Sequence, residues 1–419
     1  MELQTSQIIV FLTLTVLIAA VTYWYCRGAR QSGDGEHEYF LAGGSLKWYF
    51  VAGSITLTNL STDQLVGMNG NQMALLAWWE LAAVVGLIIL CYIFIPVYYK
   101  YNCTTTTELL EKRYNNPHIR ALISILFLLG NVFIFLPAIL YGGSQFMISM
   151  FGLSTAPIPV PGFGAIDPMI FMLSLIFAVM GAAYAIFGGL RAVAVSDTFS
   201  GVLLLSLALF VTYAALKAIN FDFTGIPKER LTLIGASDSA IPFKTLFTGM
   251  LFIQIFYWST NQTITQRAMA SPSVKEAQKG ILAAAGIRLL IVPAIIVIPG
   301  IVSYKLYGRI ENDLAYGQLV GTLLPTYLSG AFAAAILAAI LTTFNSILNA
   351  SAALWVCDIH ETYVNKSPNI KKLSLWVSVV MVVASLLLVP FFATQDSLCL
   401  LYTSPSPRDR TRSRMPSSA

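Results

Sequence analysis

The chain has 419 residues, 57% hydrophobic and 11% charged, with a mean hydropathy of +0.72 and a formal charge of +5. A water-soluble domain carries about a quarter charged residues, so this composition excludes one and indicates a polytopic membrane protein. There is no phosphate loop or nucleotide fingerprint, and neither the five cysteines (Cys26, Cys91, Cys103, Cys357, Cys399) nor the three scattered histidines (His37, His118, His360) have metal-ligand spacing.

Apolar runs of about 20 residues, enough to cross a hydrocarbon core, recur along the chain. Backbone in lipid must bond to itself and strand alternation is absent, so the runs are predicted to be helices. Ten spans follow, near 7–26, 46–70, 73–99, 119–148, 167–190, 193–217, 241–267, 279–306, 327–355 and 371–393. The first lacks a basic leader and a small-residue cleavage site, so it reads as a true span. With the N-terminus outside, thirteen Lys and Arg fall in inner loops, Arg120, Arg191 and Arg267 among them, against six in outer loops. That excess predicts an N-out orientation.

Polar groups inside spans cost free energy and need a reason. The second span carries Ser54, Thr56, Thr58, Asn59, Ser61, Thr62, Asp63 and Gln64. Helix packing explains the small hydroxyl residues, but Asn59, Asp63 and Gln64 together point to a broken helix lining a cavity, where unwound carbonyls can hold a cation. Glu80 follows Trp78-Trp79 at the start of a strongly apolar helix. Asp197 lies just after the short turn Gly188-Gly189-Leu190-Arg191, where it lines either a wet entrance or a site. In the seventh span Gln254, Tyr257, Trp258, Asn261 and Gln262 set aromatics beside amides, which suits a polar solute with apolar faces and equally suits plain packing. Arg288 in the eighth span either snorkels or pairs with a carboxylate. In the ninth, adjacent Thr342 and Thr343 offer hard oxygen donors for an alkali cation, or bond back to their own helix.

From Cys399 to Ala419 the character changes to Pro, Ser and Arg, and the stretch reads as a translated sequencing adapter; the alternative is a disordered basic tail. Without it the charge is +2, and the protein is expected to continue beyond Leu398.

Several stretches in chain order carry a resemblance: Tyr39–Leu46, Leu57–Met68, Glu108–Asn115, Gly188–Asp197, Tyr257–Arg267, Ser273–Gly280 and Ala338–Asn349. With them the chain resembles the solute:sodium symporter family, nearest its bacterial sodium/sugar branch. The resemblance implies an all-α membrane protein with a LeuT-like five-helix inverted repeat, two broken helices and an extra N-terminal helix. The first repeat would cover about 46–217 and an incomplete second about 241–393, the symporter domain being 1–398.

It further implies a sodium ion between the carbonyls of Leu57, Leu60 and Ala339 and the hydroxyls of Thr342 and Thr343. The solute would meet Gln64, Glu80, Gln254, Tyr257 (as inner gate) and Arg288. Asn59 would brace the broken helix, and Asp197 matches an acidic position linked to ion exit. Where the sugar branch has a Lys, an Asn, another Asn and a Ser, this chain has Arg288, Gln254, Phe135 and Ala83. Arg is a rigid fork suited to carboxylates, so a sugar, a sugar acid or another polyol fits the pattern. The expected activity is sodium-coupled symport in the plasma (inner) membrane, with solute, sodium and lipid as partners and no enzyme chemistry, nucleic acid or obligate protein partner. The alternatives are a transporter-like sensor with a signalling domain further on, and proton coupling through Asp63 or Glu80.

Overall fold

The computed structural model describes residues 5–27, 36–160, 164–236, 239, 241–310, 314–365 and 369–393, with backbone alone at 63, 160, 164–165 and 183–188. The stretch 399–419, read as adapter, lies outside the described residues, as does the side chain of Asp63.

The first span is one helix, α1 (Thr5–Arg27), apolar around its circumference with only Gln7 and Thr22 buried, as a lipid-facing helix is. Short α2 (Glu36–Leu41) leads into α3 (Trp48–Asn59). There the second span breaks. Leu60 leaves helical geometry at φ −80° and ψ 70°, and the chain resumes as a π-helix over Asp63–Met68. The third span joins a 3₁₀ turn (Ala74–Ala77), α4 (Trp78–Ile89), a π-turn (Leu90–Phe94) and α5 (Ile95–Lys100). After α6 (Glu108–Tyr114), α7 (Pro117–Gly130) and α8 (Leu136–Phe151) form the fourth span around a π-turn at Asn131–Phe135.

The next loop holds an antiparallel hairpin, β1 (Ile158–Val160) with β2 (Gly164–Ile166), a small exception to the all-helical expectation. The fifth and sixth spans are merged in α9 (Pro168–Ala218), whose axis turns at Gly189 alone (φ 53°, ψ −173°). A side chain there would be strained by the positive φ and would meet the carbonyl of Tyr39. After α10 (Lys228–Leu231), the seventh span is broken as well. It is α11 (Gly249–Thr260) and α12 (Gln262–Met269), parted at Asn261 (φ −70°, ψ 124°), whose side chain accepts from Thr263 N at 2.9 Å and caps α12. The chain closes with α13 (Val274–Leu290), α14 (Val292–Tyr307), α15 (Ala315–Leu323), α16 (Thr326–Ala353), α17 (Glu361–Tyr363) and α18 (Ile370–Ala393).

All ten expected spans are present. Among the described residues seven helical runs are long and apolar enough to cross a membrane, and the other three spans are the two broken ones and the first arm of α9. α16 is the central post. Its apolar window is 89% buried against 6% for α1, and it packs on α1, α3, α8, α9 and α18. A second core forms where α3, α4 and α13 meet. Close contact of α4 with α11 depends on Gly86, where a Cβ would sit 2.5 Å from the carbonyl oxygen of Gln254.

Candidate functional site

The break after Asn59 frees polar side chains that an unbroken helix would occupy with its own backbone. Gln64 Nε2 donates to Glu80 Oε1 at 2.7 Å, and Arg288 Nη1 donates to the other carboxylate oxygen. Arg288 Nη2 donates to the carbonyl of Thr56 at 3.1 Å, and the guanidinium lies over the Trp258 ring, 4.2 Å from its centroid. Trp258 Nε1 donates to Gln254 Oε1 and Gln254 Nε2 to the carbonyl of Trp79, both at 2.8 Å. Immediately before the break, Asn59 Nδ2 donates to Tyr257 Oη at 2.9 Å. Glu80 and Arg288 are fully buried and cancel each other's charge. Two such ions in apolar surroundings are tolerated only when paired and hydrogen-bonded, as here. The pairing is the carboxylate option of the sequence reading for Arg288, and the snorkelling option is excluded.

The five residues expected to contact solute, Gln64, Glu80, Gln254, Tyr257 and Arg288, thus lie in two adjoining hydrogen-bonded groups on the π-helix after α3 and on α4, α11 and α13. Within them, polar atoms remain without a hydrogen-bond partner among the described residues: Gln64 Oε1, Asn59 Oδ1, Thr56 Oγ1, Thr62 Oγ1 and Arg288 Nε. Buried polar atoms are nearly always paired in folded proteins, so a cluster of orphans marks where a polar ligand would complete the bonding. They present four acceptor oxygens, two of them hydroxyls that can also donate, and the Arg288 Nε donor. That combination matches a molecule with several hydroxyl groups.

Across from the break, α16 packs on α3, with Thr58 Oγ1 3.4 Å from Ser346 Oγ and the hydroxyls of Thr58 and Thr342 both toward Asp197. Leu57, Leu60 and Ala339 are fully buried in the same cluster. Thr343 Oγ1 has no hydrogen-bond partner among the described residues. Its oxygen therefore does not bond back to the helix, the alternative left open by the sequence.

Asp197 lies beside this group, fully buried, rather than at a wet entrance. Its Oδ2 accepts from Ser54 Oγ, and Arg267 Nε is 3.8 Å away. The hydroxyls of Thr342 and Thr58 also face it. Arg267 is the main correction to the sequence reading. Counted there as an inner-loop charge, it is fully buried on α12 and donates to Ser54 Oγ (2.7 Å), to Ser346 Oγ and to the carbonyl of Thr263. Twelve inner-loop charges then remain against six. Ser346 Oγ in turn donates a hydrogen bond to the Thr342 carbonyl at 2.6 Å.

Trp258, Ser54 and Ser346 also take part in these bonds, although the resemblance assigns none of them a role. Trp258 had a signal, since Gln254 precedes it by four residues and such pairs share a helix face. Arg267 had a weaker one, because the polar run Gln262–Gln266 carries on the broken span instead of ending it.

A family model, "Sodium:solute symporter family", matches residues 39–404. The chain belongs to this family. Its members are transporters, not enzymes. Similar curated proteins include the uncharacterized symporter YidK of Escherichia coli (strain K12), 35% identical over 87% of this chain and 64% of its own length. The sodium/glucose cotransporter of Vibrio parahaemolyticus is 28% identical over 87% of this chain and 70% of its own, and mouse sodium/myo-inositol cotransporter 2 is 25% identical over 85% and 57%. The chain thus spans somewhat under two-thirds of the length of YidK. Among solved structures, a Na⁺-coupled sialic acid symporter in a substrate-bound outward-open state superposes with a TM-score of 0.80 at 20% identity, over 93% of this chain and 83% of that one. The transporter Mhp1 in a closed conformation gives 0.51 at 15% identity, over 84% and 73%. These likenesses establish the LeuT-like fold expected from the sequence.

Proposed function

We propose that this symporter couples sodium entry to uptake of a small, polar, polyhydroxylated solute, a sugar or close derivative. The observation that carries the proposal is the set of orphaned polar atoms around the break of the second span, together with an unpartnered threonine hydroxyl on α16, a helix that packs on α3. Sodium would take the carbonyls of Leu57, Leu60 and Ala339 with the hydroxyls of Thr342 and Thr343, a hard-oxygen set with no net charge. Solute hydroxyls would bond Gln64, Glu80, Gln254 and Arg288, with Trp258 and Tyr257 against the apolar faces of the ring. Asn59 ties the break to Tyr257 and so links the ion side to the solute side. Asp63 sits at the start of the π-helix, and Asp197 sets the potential beside the ion.

Each ligand orders the same break, so each raises the affinity of the other. One sodium charge crossing the field adds roughly 2.3 kcal/mol per 100 mV to the driving force. The two repeats, about 46–217 and 241–393, would rock to alternate access. The charge bias of the loops supports an N-terminus outside the plasma (inner) membrane.

The test is uptake of labelled sugars and polyols by the full-length protein in proteoliposomes. Accumulation is expected with an inward sodium gradient and not with choline. Equal accumulation in choline overturns the coupling, and a proton gradient replacing sodium reassigns it.

A further inference from the structure

Arg288 alone would make a site for a carboxylate, since an unpaired guanidinium holds one in its fork. It is not alone. Nη1 donates to Glu80 Oε2 and Nη2 to the Thr56 carbonyl at 3.1 Å, so both end nitrogens are engaged, and the plane lies over Trp258. Both oxygens of Glu80 are engaged too, one by Arg288 and the other by Gln64 Nε2 at 2.7 Å. The two side chains come from packed helices, α4 and α13, and each is 0% exposed. Among the described residues they are the only charged side chains in this group of hydrogen bonds, one of each sign.

We infer that the Glu80–Arg288 pair is a charge filter: it restricts the solute to uncharged polyols and rejects both sugar acids and amino sugars, with Glu80 keeping Arg288 from a substrate carboxylate. The inference rests on the solute reading above and narrows it. A sugar acid reaching Arg288 must displace Glu80, leaving that carboxylate buried and unpaired, or stay beside it and set two negative charges on one guanidinium. Apolar surroundings penalise either outcome. An amino sugar meets the mirror image, because its ammonium competes for Glu80 and strands Arg288. A hydroxyl asks for neither. Each carboxylate oxygen accepts more than one bond and each end nitrogen carries a second N–H, so a neutral sugar adds to the pair without parting it. Removing one member should therefore reverse the preference. Glu80→Gln keeps the shape and leaves a buried positive charge for a solute carboxylate to neutralise, and Arg288→Gln leaves a negative one for an ammonium.

The test compares glucose, glucuronate and glucosamine, and the same three forms of galactose, on the full-length protein in nanodiscs. Binding is measured by titration calorimetry with sodium saturating, at slightly acid pH so that the amine is charged. In wild type the neutral sugar is expected to bind at least about tenfold more tightly than either charged form. In Glu80→Gln the acid is expected to overtake the neutral sugar by about tenfold, and in Arg288→Gln the amine is expected to do so. Each variant should melt below wild type when unliganded and be raised most by its own charged sugar. If one variant fails to fold, the other carries the reversal, and the wild-type ranking is read without either. Wild type binding the acid or the amine as tightly as the neutral sugar, or a folded variant that keeps the wild-type ranking, overturns the filter and leaves the sugar reading intact. If no form of either sugar binds wild type, the sugar reading fails and the filter with it.

Discussion

Thr343 and the Glu80–Arg288 pair separate two kinds of polar residue in this protein. The Thr343 hydroxyl has no partner to lose, so Thr343→Val is expected to leave the melting temperature unchanged or slightly higher, since it removes an unmet polar atom. The same change is expected to raise the sodium concentration for half-maximal uptake by about tenfold or more, the equivalent of about 1.4 kcal/mol. Glu80 behaves oppositely. Glu80→Ala strands the fully buried Arg288, and breaking such a pair costs about 3–5 kcal/mol, whereas removing both partners costs much less. Denaturation in detergent should therefore rank Glu80→Ala well below a Glu80→Gln/Arg288→Met double variant, although the proposed solute site predicts that both lose solute binding. At this scale the sequence was informative about Thr342, Thr343, Gln64 and Glu80, because uncommon polar residues stand out against an apolar background. It was silent on Arg267, whose position near a span end looks like an inner-loop charge until α12 is seen to turn inward.

The elements are defined by their ends and interruptions. Asp167 caps α9 by accepting from Met169 N at 2.9 Å, and its carboxylate also accepts from Ser154 and from the hydroxyl and amide of Thr155. Partial burial pushes its pKa up, but the Thr155 hydroxyl and the amides of Met169 and Thr155 outweigh it and hold the carboxyl below its usual range. A group depressed in the folded protein stabilises above its ordinary pKa, and that contribution is lost as the pH falls through the folded value. Melting followed from pH 6 to pH 3 should show the difference between wild type and Asp167→Ala, about 1 kcal/mol at the upper end, shrinking in acid. Gly86 gives a packing prediction. Its side-chain position is filled by the Gln254 carbonyl, so Gly86→Ala must push α11 from α4 and shift the Trp258–Gln254 pair. A drop in solute affinity with little change in sodium affinity is expected, measured as separate half-saturation constants. Span number followed from hydropathy alone. The π-turns at Leu90–Phe94, Asn131–Phe135 and Leu354–His360 had no sequence signal, because each depends on a neighbouring helix accepting the extra residue.

Across the whole molecule, a polar latch joins the broken seventh span to the scaffold. Gln262 on α12 accepts from Thr106 N at 2.8 Å and donates to the Thr104 carbonyl at 3.3 Å. The same loop sends the Thr105 and Thr107 hydroxyls to Asp358, which is fully buried and also accepts from Ser124 and from Arg120 Nε at 2.6 Å. Any rocking that moves α12 must remake these bonds. Gln262→Ala is therefore expected to expose Cys103, 5% accessible and next to the loop, and to raise its maleimide labelling several-fold. Mass spectrometry of the Cys103 peptide checks this, and unchanged labelling would mean the latch stays shut without Gln262.

The single-residue turn at Gly189 has a practical consequence. Most membrane proteins offer a slack connection between neighbouring crossings, where proteases cut and crystallographers splice in a soluble partner. Between the two arms of α9 there is no slack to cut or splice. Limited digestion should leave 168–218 as one fragment, and an inserted fusion at 189 should abolish folding where the same insertion at the β1–β2 hairpin is tolerated.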